Sequence, residues 1–100
     1  MIKSGGENVA SREVEEAVLR HPKVAEVAVF GVPDEKWIEA VTAVIVLRAG
    51  ETATAEEVIG FCREKLASYK TPKNVHFASA LPKNASGKIL KRELRQQFGK

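Results

Sequence analysis

The residues with the most chemistry to offer are gathered in Leu81-Pro82-Lys83-Asn84-Ala85-Ser86-Gly87-Lys88. A flexible glycine and a lysine stand there just before a predicted helix, and the free amides of a helix N-terminus bind anions. Gly87-Lys88 invites a phosphate-loop reading. That motif needs a glycine five positions before Gly87, where Pro82 sits, and a Ser or Thr after the lysine, where Ile89 sits, so it does not apply. Ser4-Gly5-Gly6-Glu7 is a second candidate, as a plain turn or a ligand cradle. Tyr69-Lys70-Thr71-Pro72-Lys73 adds an aromatic and two cations, and Trp37, the sole tryptophan, stands in a turn at the mouth of a strand pair. There it caps a core edge or offers a ring for stacking. Cys62 falls on an apolar helix stripe with no histidine near in sequence, which favours packing over nucleophilic chemistry. His21 and His76 are 55 positions apart, give no zinc spacing, and read as surface or structural residues.

These residues are carried by alternating helical and strand patterns. Ile2 to Ala10 is a small hairpin around Gly5-Gly6, because paired glycines supply the positive backbone dihedrals of a tight turn. Ser11 is placed to cap a helix with Glu13, Glu15 and Glu16 near its start and Val14, Ala17 and Val18 inward; Pro22 stops it near Arg20 or His21. Val24 to Val32 is a strand, and the apolar run Val41 to Leu47 is a central one covered on both faces, with Pro33-Asp34-Glu35-Lys36 as the turn between them. Thr54-Ala55-Glu56-Glu57 is a capping box opening a helix with apolar Val58, Ile59, Cys62 and Leu66. Val75 and Phe77 alternate in a short third strand, and Leu90, Leu94 and Phe98 stripe a last helix that puts Lys91 and Arg95 together on another face. The fold class is therefore α+β: a small N-terminal β-hairpin plus a mainly three-stranded sheet backed by helices.

One hundred residues fit a single domain over 1–100 and leave no room for a second. With 44% hydrophobic and 29% charged residues, the chain has material for one modest core and is too apolar to be disordered. The lone cysteine, and the absence of an apolar run near the roughly 18 residues of a membrane helix, point to a soluble cytoplasmic protein without a transmembrane segment. Net charge is +3, but residues 1–50 carry −2 while residues 68–100 carry eight Lys/Arg against Glu93 alone, or +7. That asymmetry implies a polyanionic partner: nucleic acid, membrane or a phosphorylated small molecule.

Taken in order, four segments resemble the landmarks of one family. Ile2-Lys3-Ser4-Gly5-Gly6-Glu7-Asn8 followed by Glu13-Val14-Glu15, then Val32-Pro33-Asp34-Glu35-Lys36-Trp37, Tyr69-Lys70-Thr71-Pro72-Lys73, and Leu81 to Ile89 look like the C-terminal domain of acyl-CoA synthetases, in the superfamily of adenylate-forming enzymes. The resemblance implies a two-step acid–thiol ligase. A carboxylic acid, commonly a fatty acid, and ATP give an acyl-adenylate and pyrophosphate; coenzyme A then displaces AMP. This domain would be the mobile lid on a large N-terminal adenylation domain that holds the ATP loop, the magnesium ligands and the acyl pocket. The chain would then be a fragment, inactive alone, with the hinge just upstream of Met1. By position, Lys88 matches the adenylation lysine, and Gly5, Gly6 and Glu7 match the hairpin lining the pantetheine tunnel. Trp37, Lys70 and Lys73 fall near the contacts to the coenzyme A nucleotide. Ile38 stands where the family commonly has glycine, Thr71 where many members have arginine, and Val9-Ala10-Ser11 where an aromatic and a proline are frequent.

Two other readings compete. A basic α+β module with exposed aromatics could bind RNA, but only Phe77 is squarely placed in a strand for stacking. A non-catalytic interaction module would have no need of Lys88.

Overall fold

The computed structural model describes residues 1–99. Strands β1 (Ile2–Ser4) and β2 (Glu7–Val9) form the hairpin, in the register Ile2↔Val9, Lys3↔Asn8 and Ser4↔Glu7. Gly5 and Gly6 have φ of +60° and +87°, the two positive dihedrals that a two-residue turn of this hand demands. Helix α1 (Ser11–Leu19) buries Val14, Ala17 and Val18. Ser11 is not its cap: Ala10 holds that position with no side-chain bond, and Ser11 is already inside the first turn. Its hydroxyl is thereby freed for a distant partner, described below.

Strands β3 (Val24–Asp34) and β4 (Ile38–Leu47) pair antiparallel from Val24↔Leu47 to Asp34↔Ile38, with one irregularity between Val24 and Glu26. The turn is shorter and later than the sequence suggests. Pro33 and Asp34 still belong to β3, and only Glu35, Lys36 and Trp37 lie outside the ladder. The Asp34 carboxylate closes this turn by accepting the amides of Lys36 and Trp37 at 2.8 and 3.0 Å. Ile38 then leaves the turn at φ +71°, a left-handed conformation that suits glycine and strains a β-branched side chain.

Helix α2 (Ala55–Arg63) opens on Thr54, whose hydroxyl accepts the Glu57 amide at 3.1 Å. Only this half of the capping box forms. The Glu57 carboxylate turns instead to His21 Nε2 at 3.2 Å and Lys23 Nζ at 3.4 Å. A 3₁₀ turn (Ser68–Lys70) precedes β5 (Asn74–Phe77), which runs parallel to β4, and α3 (Lys91–Phe98) closes the fold.

The five strands make one mixed sheet in which β3 flanks one side of β4. Both β5, over Thr42 to Ile45, and β1, through Ser4↔Ile38, flank the other. The hairpin is thus an extension of the sheet. Because β4 is central, its two faces feed two cores. Val41, Ala43 and Ile45 pack with Val27, Val29, Val14, Val18, Val58 and Cys62 beneath α1 and α2. On the opposite face, Val44 and Val46 pack with Ala28, Phe30, Val32, Leu81 and Leu94 beneath α3. Alternation along doubly covered strands explains why neither reads as amphipathic.

Candidate functional site

The residues marked by the sequence fall into two separate places. One is the Lys88 loop. Its stems are joined by the bridge Lys83↔Ile89 and by the Leu90 amide donating to the Pro82 carbonyl at 2.8 Å. At the tip Asn84 organises everything: its Oδ1 accepts from the amides of Ser86 and Lys88, each at 3.0 Å, and from the Ser86 hydroxyl at 2.8 Å. Gly87 completes the turn at φ +85°. The loop is therefore not the amide cradle suggested by its place before a helix. Its amides are spent on Asn84, and α3 begins only at Lys91. What it presents is the exposed Lys88 ammonium, which has no hydrogen-bond or ion-pair partner among the described residues. Beside it lies an open cavity of about 530 Å³ lined by Glu15, Val27, Lys88, Ile89, Lys91 and Arg92, among others.

The second place is a groove of about 540 Å³ between the β3–β4 turn, α2 and the start of β5, lined by Trp37, Ile59, Arg63, Ser68, Pro72 and Lys73 among others. The hairpin closes onto its tryptophan. The Gly5 amide donates to the Trp37 carbonyl at 2.7 Å, and a Cβ on Gly5 would lie 3.3 Å from Trp37 Cε3. A side chain there would press on the ring and push hairpin or indole back by a few tenths of an ångström. Gly6, one residue on, would have nothing within 4 Å of a Cβ, so it faces open space. Lys73 Nζ lies 4.7 Å from the centroid of the indole, and Lys36 Nζ lies 5.3 Å from it. Lys73 also donates to the carbonyls of Ser68 at 2.6 Å and Thr71 at 3.2 Å. Burial, together with the Arg63 charge, lowers the Lys73 pKa below the ordinary lysine value.

Gly5, Trp37 and Lys73 are thus brought together, whereas Gly6, Glu7 and Lys70 are not among the residues that line the groove. Lys70 reaches across to Glu13 of α1, Nζ to Oε2 3.0 Å, and that hydrogen bond raises its pKa. Glu7 is exposed on β2. Arg63 and Ser68 were not singled out by the sequence, although Arg63 falls one helical turn after Ile59 and both line the groove. Thr71 is buried and donates to the Ala67 carbonyl at 3.3 Å.

The remaining chemical residues are structural. Cys62 is fully buried in the α2 face of the core, and burial pushes its thiol pKa up, away from reactivity. His21 is buried, accepts the Lys23 amide at Nδ1 (3.2 Å) and meets Phe61 edge-on at 4.9 Å; His76 stacks on Phe98 at 4.9 Å. Among the described residues no group of His, Cys, Asp or Glu could hold a metal, and no helix is long and apolar enough to cross a membrane.

Residues 13–88 match the family described as AMP-binding enzyme C-terminal domain. The chain belongs to this family. Among the relatives of this AMP-binding C-terminal domain, 2-succinylbenzoate–CoA ligase of Bacillus cereus (strain Q1) is 52% identical over 96% of the chain, which corresponds to 20% of that ligase. Long-chain-fatty-acid–CoA ligase FadD13 of Mycobacterium tuberculosis (strain CDC 1551 / Oshkosh) is 48% identical over 98% of the chain and 19% of its own length. The domain spans about a fifth of the curated relatives it matches. Among solved structures, a Mycobacterium tuberculosis fatty acyl CoA synthetase superposes with a TM-score of 0.91 at 47% identity, over 99% of this domain and 20% of that chain. The amide bond synthetase McbA from Marinactinospora thermotolerans superposes with a TM-score of 0.93 at 35% identity, over 97% and 20%. The relatives that carry this domain are CoA ligases and an amide-forming enzyme, and nucleic-acid binding finds no support among them.

Proposed function

We propose that residues 1–100 form a single lid domain of an ATP-dependent acyl-CoA synthetase, moving over an N-terminal adenylation domain and serving each half-reaction with a different face. In the first, the Lys88 ammonium meets the substrate carboxylate and the α-phosphate as charge develops there. A compact cation on a flexible stem suits a group that must arrive and depart. In the second, Gly5, Gly6 and Glu7 line the passage for the pantetheine arm, and Trp37, Lys70 and Lys73 receive the nucleotide end of coenzyme A. The observation that supports this reading is the separation itself. The loop that displays the Lys88 ammonium shares no lining residue with the groove where the indole and Lys73 converge.

ATP and coenzyme A are substrates in this scheme. Magnesium would be held by the N-terminal domain. The acid is read as a fatty acid, the class named for one close relative, with 2-succinylbenzoate as the comparison substrate named for another. The reading places the enzyme in the cytoplasm, where ATP and coenzyme A are both at hand.

The test is to measure the two half-reactions separately in the whole enzyme. Lys88→Ala should slow adenylation by roughly 100-fold, the scale for losing one preorganised charge, and leave thioester formation from supplied acyl-adenylate intact. Gly6→Val should do the reverse, since a branched residue is strained at φ +87° and fills the passage. Equal loss of both steps in each variant would sink the two-faced lid.

A further inference from the structure

The loop that carries Lys88 is gripped at both stems by carboxylates. On one stem Lys83 Nζ pairs with Glu26 of β3 at 2.6 Å; just past the other, Lys91 Nζ pairs with Glu15 of α1 at 2.9 Å. The second pair is the more sheltered, at 32% and 20% side-chain exposure, against 89% and 64% for the surface pair Arg12–Glu16. Shielding from solvent is what gives an ion pair weight. Glu15 Oε2 also accepts the Val29 amide of β3 at 2.9 Å, and Lys91 donates to the Ser11 hydroxyl at 3.3 Å. β3 is an edge strand, so that amide has no neighbouring strand to receive it. One carboxylate therefore locks α1, the sheet edge and the first residue of α3 together.

The body of α3 has its own attachment, through Leu94 and Phe98 to the core beneath it. Docking the helix does not need Lys91. What Lys91 fixes is the first turn, three residues after Lys88, and hence the exit of the loop.

We infer that Glu15 is a positioning residue for Lys88: through Lys91 it sets where the loop delivers the ammonium. The inference rests on the role given to Lys88 above. Small misplacement of a catalytic group costs rate steeply, so loosening this lock should appear in the adenylation step alone.

The experiment uses the whole enzyme and both half-reactions. Glu15→Gln and Lys91→Met should each lower the adenylation kcat about 10-fold, with the KM for ATP and thioester formation from supplied acyl-adenylate unchanged. Together they should cost no more than either alone, and Lys91→Arg, which keeps the pair, should restore the rate. Placed on Lys88→Ala, Glu15→Gln should cost nothing further. An undiminished rate in Glu15→Gln, equal loss in both half-reactions, or a full 10-fold cost in the Lys88→Ala background would each overturn the inference. Should Glu15→Gln fail to fold, Lys91→Met carries the same test with the Val29 contact untouched. Normal adenylation by Lys88→Ala would instead strike down the role of Lys88 itself, a separate result.

Discussion

The Lys88 loop and the Trp37 groove sit on one small domain and are built by opposite means. In the loop the neighbouring polar groups are largely committed: Asn84 takes the amides of Ser86 and Lys88, and Glu26 and Glu15 take the flanking Lys83 and Lys91, which leaves the Lys88 ammonium without a partner among the described residues. In the groove the decisive features are absences. Gly5 lacks a side chain where the indole passes, and Gly6 leaves open space. On the proposed reading, the charge to be delivered is isolated by satisfying its neighbours, whereas the passage for a narrow ligand is made by removing atoms.

The largest effect that would sharpen this contrast is at Gly5. Gly5→Val combines left-handed strain with a side chain pressed on Trp37, and should destabilise the domain by about 2 kcal/mol. Thermal melting should show a fall on the order of 10 °C. Emission of Trp37, the only tryptophan, should shift in the folded state. An unshifted spectrum with an unchanged Tm would mean that hairpin and ring are not in contact. Next comes Asn84→Ala, which frees the tip of the loop; adenylation should drop about 10-fold while the groove and the thioester step stay as they were. Loss of the thioester step there would break the separation between the two regions.

Ile38→Gly should act the other way. It relieves about 1–2 kcal/mol of left-handed strain and adds about 0.5–1 kcal/mol of unfolded-chain entropy, so a denaturant titration should show a net gain of roughly 0.5–1 kcal/mol. A loss of stability would mean that the half-exposed isoleucine packs better than its conformation costs.

The smallest effects separate Lys70 from Lys73 by sign. The Lys70 pKa is raised by Glu13, so its contribution is complete below the ordinary value of 10.5 and lost as pH rises through the raised value. The Lys73 pKa is lowered by burial, so between that lowered value and 10.5 the unfolded chain binds more protons and stability rises with pH. Denaturation at pH 8 and near 10.5 should show the wild type gaining on Lys73→Met, and a further rise of pH above 10.5 should show Lys70→Met closing its gap to the wild type. Parallel slopes in both variants would remove the distinction.

How much of this was legible depended on distance along the chain. Gly5-Gly6 gave away the hairpin turn because the constraint is local, and Thr54 gave away the α2 start for the same reason. The α+β class and the order of elements followed from periodicity. What the sequence misplaced were competitions settled by remote partners. Glu57 suits a capping box, but its carboxylate is drawn to His21 and Lys23. Ser11 suits a cap, but the helix starts one residue earlier and the hydroxyl meets Lys91. Pro33-Asp34 suits a turn, but pairing with Glu39 and Ile38 holds both in β3. Glu15 suits a helix dipole and instead serves a strand edge. The groove was invisible as a groove, since Lys73 and Trp37 meet only through the pairing of β4 with β5.

That pairing is parallel, which fixes more than the sheet. Parallel strands run from the same end, so the entrance of β5 lies toward the entrance of β4: the Lys73 amide donates to the Val41 carbonyl at 2.7 Å, four residues along β4 from Trp37, and the lysine stem reaches back to the indole. Had β5 run the other way, its entrance would lie some 13 Å off, at about 3.3 Å for each of its residues. A slip of two residues in the Thr42↔Asn74 register, which would keep every side chain on its proper face, would still move the lysine about 7 Å along β4 relative to the indole. The ladder between β4 and β5 therefore works as a ruler, and insertions within the α2 crossover are tolerable only if they leave its zero mark in place.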